Sequence, residues 1–270
     1  MGSEMCIRDR DKVTVDPTLA IQQQFGAAAS AYVISPVHAR GPDLPKLVVA
    51  AGCSGSERVL DLGTAAGHTA LALAPHVAEV IGIDVTAEMV ELARGLAHER
   101  GATNATFRVA DVASLPFADC TFDIVTSRYS AHHYPQPHRA FSEAFRVLRP
   151  GGRLMFVDTV APDDPFLDTF VNCIELLRDR SHVRDQGVGE WMSMFAGQGF
   201  AVELLEEWFL NLHGADWVTR MRTPEQAVAM IRALMREAPA MAKEAFVLND
   251  EEPWSFRLWS AMLRAVRPAS

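Results

Sequence analysis

The chain has 270 residues, 49% of them apolar and 22% charged, with a formal net charge of −9 at pH 7. Such a composition builds a sizeable core, and its acidic balance disfavours generic nucleic-acid binding, which needs clustered Lys and Arg against phosphates. Cys6, Cys53, Cys120 and Cys173 form no CxxC pair, which argues against a disulfide scaffold or zinc knuckle and for a reducing, cytoplasmic setting, and no apolar run reaches the ~20 residues of a membrane span.

The opening MGSEMCIRDRDK is too polar for a signal peptide, and residues 1–16 read as a disordered or non-native start. IQQQFGAAASAY forms a helix, broken near SPVHARGPD, and LPKLVVAAG forms a second that ends at Gly52, with Leu44, Leu47 and Val48 at helical spacing. The rhythm then becomes regular. RVLDL is a strand, GHTALALA a helix and EVIGID a strand; Thr86 caps a helix whose apolar face is Met89, Leu92, Ala93 and Leu96. ATFRVA is a third strand and runs into the DVASLPF loop. TFDIVTSR and GRLMFVDTV are the fourth and fifth, separated by the helix HRAFSEAFRVL, which Pro150-Gly151-Gly152 stops. Arg146, Arg149 and Arg153 flank that turn as a solvated edge. Strands alternating with helices give an α/β fold with a parallel sheet covered on both faces. Beyond Val160 come helices over PFLDTFVNCIELLRD and GEWMSMFAGQG, a return to the sheet over FAVELLEEWF, and helices over PEQAVAMIRALMREAP and AMAKEAF. FRLWSAMLRAV fits a strand or a helix.

VLDLGTAAGH, residues 59–68, is a strand with an acid near its tip and a small-residue turn directly after it. Parallel sheets bind ligands beyond the carboxyl ends of their strands. Gly63 permits a tight turn and Gly67 a close approach of backbone to ligand, while the following helix start offers N–H groups to a carboxylate or phosphate. A dinucleotide turn wants G-x-G-x-x-G, which is absent, and Asp61 would repel a pyrophosphate. S-adenosylmethionine suits both features, with an ammonium for the acid and a carboxylate for the N–H groups. The bland alternative is that Asp61 only caps the turn. Asp84, ending EVIGID, is placed to accept ribose hydroxyls, and Asp111, beside small apolar residues, to meet an adenine amino group.

VLDLGTAAGHTALALA, VIGIDVTAEMVELA, FRVADVASLPFADCTFDIVTSR and AFRVLRPGGRLMFVD together resemble the successive motifs of class I S-adenosylmethionine-dependent methyltransferases, and more narrowly the ubiquinone/menaquinone-biosynthesis-like small-molecule methyltransferases. The resemblance is strong from Ser56 to Val160 and looser over Phe25 to Ala51 and beyond Phe200. It implies a Rossmann-like, seven-stranded sheet with helices on both faces and an antiparallel last strand. Residues 17–55 would form an N-terminal helical lid, 56–160 the S-adenosylmethionine-binding core, and 161–270 the acceptor-side helices and final strands of the same domain. It further implies that Asp61, Gly63 and Gly67 hold the methionine part, Asp84 the ribose, and Val85, Asp111 and Val112 the adenine. Ser127 would approach the cofactor with its backbone, and Tyr32 with its ring from the lid. The family usually carries Gly where this chain has Ala65, so a methyl group there must point away from the ligand or the turn must shift slightly.

The acceptor side is read from SRYSAHHYPQPH, which follows the fourth strand on the ligand side. A histidine there can take a proton near neutral pH. His133 is the first candidate base and His132 the second, with a purely structural loop role as the alternative for each. Arg128, His182 and Arg184 are candidate acceptor-binding residues. Phe25 and Tyr32 either approach the ligand or dock their helix on the sheet. Trp208, Trp217, Met230 and Met235 line an apolar wall or belong to the core. No metal is expected, since His132, His133 and His138 lack a nearby acid set in sequence. The expected function is methyl transfer to a small-molecule acceptor. A noncatalytic S-adenosylmethionine-binding protein and a nicotinamide-dependent oxidoreductase are the alternatives. The oligomeric state stays open.

Overall fold

The computed structural model describes residues 17–33, 39 and 41–269. The start at 1–16 and His38 fall outside the described residues, as does the side chain of Tyr32. Helices α1 (Pro17–Val33) and α2 (Asp43–Ala51) precede the sheet. Strands and helices then alternate: β1 (Arg58–Leu62), α3 (His68–Leu73), β2 (Glu79–Asp84), α4 (Ala87–Glu99), β3 (Ala105–Val109), β4 (Phe122–Arg128), α5 (Pro137–Val147) and β5 (Leu148–Val160). The remainder supplies α6 (Pro165–Arg178), α7 (Val188–Gly197), β6 (Ala201–His213), α8 (Gly214–Arg220), α9 (Glu225–Glu237), α10 (Ala240–Phe246) and β7 (Ser255–Val266).

The strands pair in the order β3-β2-β1-β4-β5-β7-β6. β1 to β5 are mutually parallel, while β7 runs antiparallel to both β5 and β6, as the resemblance implies. The strand order reverses between β1 and β4. The crevice of a doubly wound sheet opens at such a reversal, beyond the carboxyl ends of the strands. One face is sealed by aromatic rings, Phe141, Phe156, Trp191 and Phe195, under α5 and α7. The other is packed by α2, α3 and α4 through residues such as Leu47, Leu71 and Val90. A third cluster, including Trp217, Met235, Phe246 and Trp254, holds the helices between β5 and β7.

Local expectations are met with a few shifts. FRLWSAMLRAV is a strand: it is flanked by β5 and β6, and a strand with two neighbours and two covered faces shows little polar alternation. α5 ends at Val147, and Leu148 already opens β5, so Pro150-Gly151-Gly152 lies inside the irregular start of that strand rather than stopping the helix. Arg146 pairs with Asp119 and Glu143, and Arg149 with Asp123. Arg153 donates to the carbonyls of Ala51 and Gly52 that end α2. Met230 is exposed, and Trp208 is half-buried against the α2 side of the sheet.

Candidate active site

After β1 the chain turns through residues 63–67 into α3. Gly63 has φ +61°, and a Cβ there would stand 2.7 Å from the Cβ of Ser130, so no other residue fits without displacing that loop. Ala65 occupies the same left-handed region, at φ +45°, and therefore holds with a side chain the conformation that favours Gly. Asp84 fixes this turn to the end of β2. Its carboxylate accepts the Ala65 N–H and the Thr86 N–H, each at 2.9 Å. Burial raises the Asp84 pKa, and these backbone donors oppose the rise.

A cavity lies over this turn, bordered by Gly63, Thr64, Asp84, Val85, Asp111 and Val112 among others. Asp111 orients itself by accepting the Ala113 N–H at 2.8 Å. Helix α1 crosses the mouth: Thr18, Ile21 and Phe25 line the cavity, while Gln22 donates to the Val85 carbonyl and Gln24 to that of Met221. Phe25 thus faces the ligand space and also packs with Met89 and Met221.

Two residues expected at the ligand lie one layer beneath it. Asp61 is buried, and its two oxygens accept the hydroxyls of Thr64 and Thr126, each at 2.6 Å. Burial pushes its pKa up to about 6, against the pull of those hydroxyls and of Arg128. What Asp61 presents to the cavity is Thr64. Ser127 is also fully buried, with its hydroxyl 3.1 Å from that of Ser130 and 3.3 Å from that of Tyr134; Ser130 and Tyr134, not Ser127, reach the wall.

A second, smaller pocket adjoins the first, and Tyr129 and His133 border both. Leu212, Trp217 and Leu258 give it an apolar side, and Thr159, Glu175 and Arg178 a polar one. The two histidines at this junction have opposite surroundings. His132 Nδ1 lies 2.5 Å from Asp158 Oδ1. Burial alone would depress its pKa, but the charge and hydrogen bond of Asp158, with Asp185 and Glu175 behind, raise it to about 9. His132 therefore holds its proton more tightly than an ordinary imidazole. His133 Nδ1 bonds the Ser181 carbonyl at 3.1 Å, and Phe25 meets its ring edge-on at 4.8 Å. Burial first, and then the charge of His132, push its pKa well below the ordinary value, so His133 is neutral.

The other acceptor candidates serve as braces. Arg128 borders the first cavity, but its Nε is held 2.5 Å from Asp43 in a buried pair that fastens α2 to β4. His182 is hydrogen-bonded to Asn172 at 3.0 Å, and Arg184 is paired with Asp168 and Glu190. Neither borders the two cavities described, and both tie the α6–α7 connection together. His132, Asp158 and Asp185 gather ligand-type atoms within 4.8 Å of one another. Two donors bound to one ion at ~2.1 Å stand roughly 3 Å or more apart, so the 2.5 Å His132–Asp158 contact is that of a shared proton. Asp158 had a visible signal, being an acid near the end of the fifth strand as Asp61 and Asp84 are on theirs; Thr126, Asp179 and Ser181 had none.

A model of the Methyltransferase domain family matches residues 54–199. The chain is 39% identical over 246 residues to the uncharacterized methyltransferase YcgJ of Bacillus subtilis, which spans 90% of this chain and 97% of that protein. It is 38% identical over 189 residues to the uncharacterized protein YafE of Escherichia coli, covering 70% and 91% of the two. The crystal structure of YcgJ superposes on it with a TM-score of 0.82, over 84% of this chain and 98% of that one. These likenesses overturn the nicotinamide alternative, which the turn after β1 already disfavoured. With an acid ending β2 beside a glycine-shaped turn and a sheet that reverses at that point, they establish the chain as a member of the class I S-adenosylmethionine-dependent methyltransferases.

Proposed function

We propose that this enzyme methylates a small-molecule acceptor bound in the second cavity. The observation that carries the reading is the shared wall: Tyr129 and His133 border both the cofactor cavity and its neighbour. When bound, S-adenosylmethionine supplies a methyl group on a sulfonium and remains as S-adenosylhomocysteine. The turn at Gly63 and Gly67, with Thr64 set by Asp61, would take its methionine part, Asp84 the ribose, and Val85, Asp111 and Val112 the adenine. Helix α1 acts as the lid, residues 56–160 as the cofactor core and residues 161–270 as the acceptor side. A partly enclosed acceptor space suits a small molecule better than a nucleic acid, and a cytoplasmic setting belongs to the same proposal. For an acceptor bearing O–H or N–H, neutral His133 is the base.

Native mass spectrometry of the purified protein tests this, with the expectation of a retained S-adenosylmethionine or S-adenosylhomocysteine mass and, with it, a candidate acceptor. With an O–H or N–H acceptor in hand, His133→Ala should lower the single-turnover rate by ~10²-fold or more with cofactor affinity nearly intact. An unchanged rate removes His133 as the base. Methyl transfer to a protein or RNA but to no small molecule overturns the acceptor class.

A further inference from the structure

We propose that Asp179 is the waiting counter-ion of His133: the imidazole takes the acceptor's proton at Nε2, and the imidazolium so formed pairs with Asp179 Oδ2. This rests on the methyltransferase reading of the same site. Asp179 follows α6 and is almost fully buried, at 1% exposure. One of its oxygens, Oδ1, is saturated by the Ser181 N–H at 2.8 Å and the Ser181 hydroxyl at 2.6 Å. The other, Oδ2, has no hydrogen-bond partner, and it stands 3.9 Å from His133 Nε2. A buried carboxylate oxygen without a donor is costly, and this one sits beside a nitrogen able to become a donor.

Ser181 sets the imidazole as well as the acid. His133 Nδ1 lies 3.1 Å from the Ser181 carbonyl, which can only accept, and 3.3 Å from the Ser181 hydroxyl, whose proton is donated to Asp179 Oδ1, so the neutral ring carries its proton on Nδ1 and its lone pair on Nε2. Residues 179–181 thus fix the tautomer of the base and the rotamer of its acid together. The other charged neighbours oppose protonation. The His132 ring, whose proton Asp158 stabilises, lies 4.1 Å from that of His133 between centroids, and Arg178 acts in the same sense. Glu175 is spent on Arg178 at 3.1 Å. Phe25, on the α1 side, brings no charge. Asp179 is the acid left to balance a proton on this ring.

During transfer the acceptor's O–H or N–H bond breaks while a lone pair of that atom forms the bond to the methyl carbon. The electron pair of the methyl–sulfur bond stays with sulfur, and the proton goes to Nε2. The charge created on the ring then faces Asp179 Oδ2, which needs no rearrangement beyond closing a short gap.

The test is an NMR titration of ring-¹⁵N-labelled histidine in the full chain, with and without saturating S-adenosylhomocysteine. His133 is expected as the Nδ1–H tautomer. Asp179→Asn should lower its proton affinity at least tenfold, whereas Asp179→Glu, which keeps a carboxylate, should hold it within about threefold. An Nε2–H tautomer overturns the proposal, as does an unchanged or raised midpoint in Asp179→Asn. If that variant fails to fold, the tautomer of the wild-type ring decides. Calorimetry with S-adenosylmethionine on the same samples separates the two readings: a wild-type chain that binds no cofactor defeats the methyltransferase pocket, while the titration needs no acceptor and judges the His133–Asp179 pair by itself.

Discussion

Asp84→Asn is the sharpest probe of the cofactor pocket, because the two groups differ little in size. In the native protein each carboxylate oxygen takes one backbone N–H, from Ala65 and from Thr86, at 2.9 Å. An asparagine offers one carbonyl oxygen and one amide nitrogen. Whichever way it is turned, one backbone N–H gains no acceptor and faces another N–H. A hydrogen bond to a charged group contributes about 1.5–3 kcal/mol, so roughly 2 kcal/mol of the turn's fixation is lost. That turn carries Ala65 and Thr64 to the cavity, and Asp84 is also the acid that would meet the ribose in the proposed function. S-adenosylmethionine affinity should therefore fall by about 30-fold, the equivalent of ~2 kcal/mol. Isothermal calorimetry at pH 7.5 measures it, with circular dichroism to confirm folding. Asp119→Asn is the control: it pairs with Arg146 at an exposed position outside the cavity lining, and the loss there should stay below about threefold. A folded Asp84→Asn chain that binds within twofold of wild type would refute the reasoning.

Three further outcomes are expected. Asp43→Ala leaves Arg128 buried without its ion-pair partner and should destabilise the protein by about 3–5 kcal/mol in urea unfolding. Ala65→Gly relieves the left-handed backbone at φ +45°, worth ~1–2 kcal/mol, less the ~0.4–1 kcal/mol that Gly adds to unfolded-chain freedom; a melting point raised by about 2 °C with cofactor binding kept is expected by calorimetry. The third concerns pH. The folded His132 pKa is raised from 6.5 to about 9, so its contribution, on the order of 3 kcal/mol, is complete below pH 6.5 and lost as pH rises through about 9. Urea midpoints from pH 6 to 10 should decline for wild type and decline less for His132→Gln.

The turn after β1 and the acids around it were legible because their parts are local. A strand, an acid and a small-residue turn stand within ten residues at Val59–His68, and Asp84 and Asp111 end or follow their own strands. Even here the detail was tertiary: Thr126 reaches Asp61 only because β4 pairs with β1 in the register Asp61↔Thr126. On sequence alone Asp61 is aimed at a ligand, whereas both of its oxygens are taken by threonine hydroxyls. The acceptor half was less legible. Arg128, at the end of β4, has the position of a ligand-binding residue, yet its partner Asp43 lies 85 residues away in sequence. RDRSHVRDQ reads as a polar, ligand-facing stretch. Its polarity is mostly consumed internally, by Asn172, Asp168 and Glu190. The ambiguity of the last strand has the same physical origin, since burial on both faces erases the period that would have named it.

The adjacent histidines show how the fold divides labour between residues that sequence alone treats as a pair. Successive side chains in the short turn 131–133 point to different neighbours. His132 meets Asp158, an acid from β5 that also accepts the backbone N–H groups of Ala131 and Thr159. His133 meets a carbonyl and, beyond hydrogen-bond distance, a second acid. The first environment fixes a proton on its ring, and the second withholds one. The two effects reinforce each other, because the charge on His132 is among the causes that keep His133 neutral. A pair of titratable groups driven apart in this way is the arrangement acid–base chemistry needs. It also orders the consequences of mutation. Removing His132 takes a buried cation from Asp158 and loosens the turn, so stability falls first. It also lifts a positive charge from beside His133, so the base that remains should bind its proton more tightly. Removing His133 leaves the turn and its ion pair standing and removes the group that faces both cavities. The residue with the stronger electrostatic anchor is thus expected to act as scaffold, and the one facing both cavities as the base of the proposed mechanism.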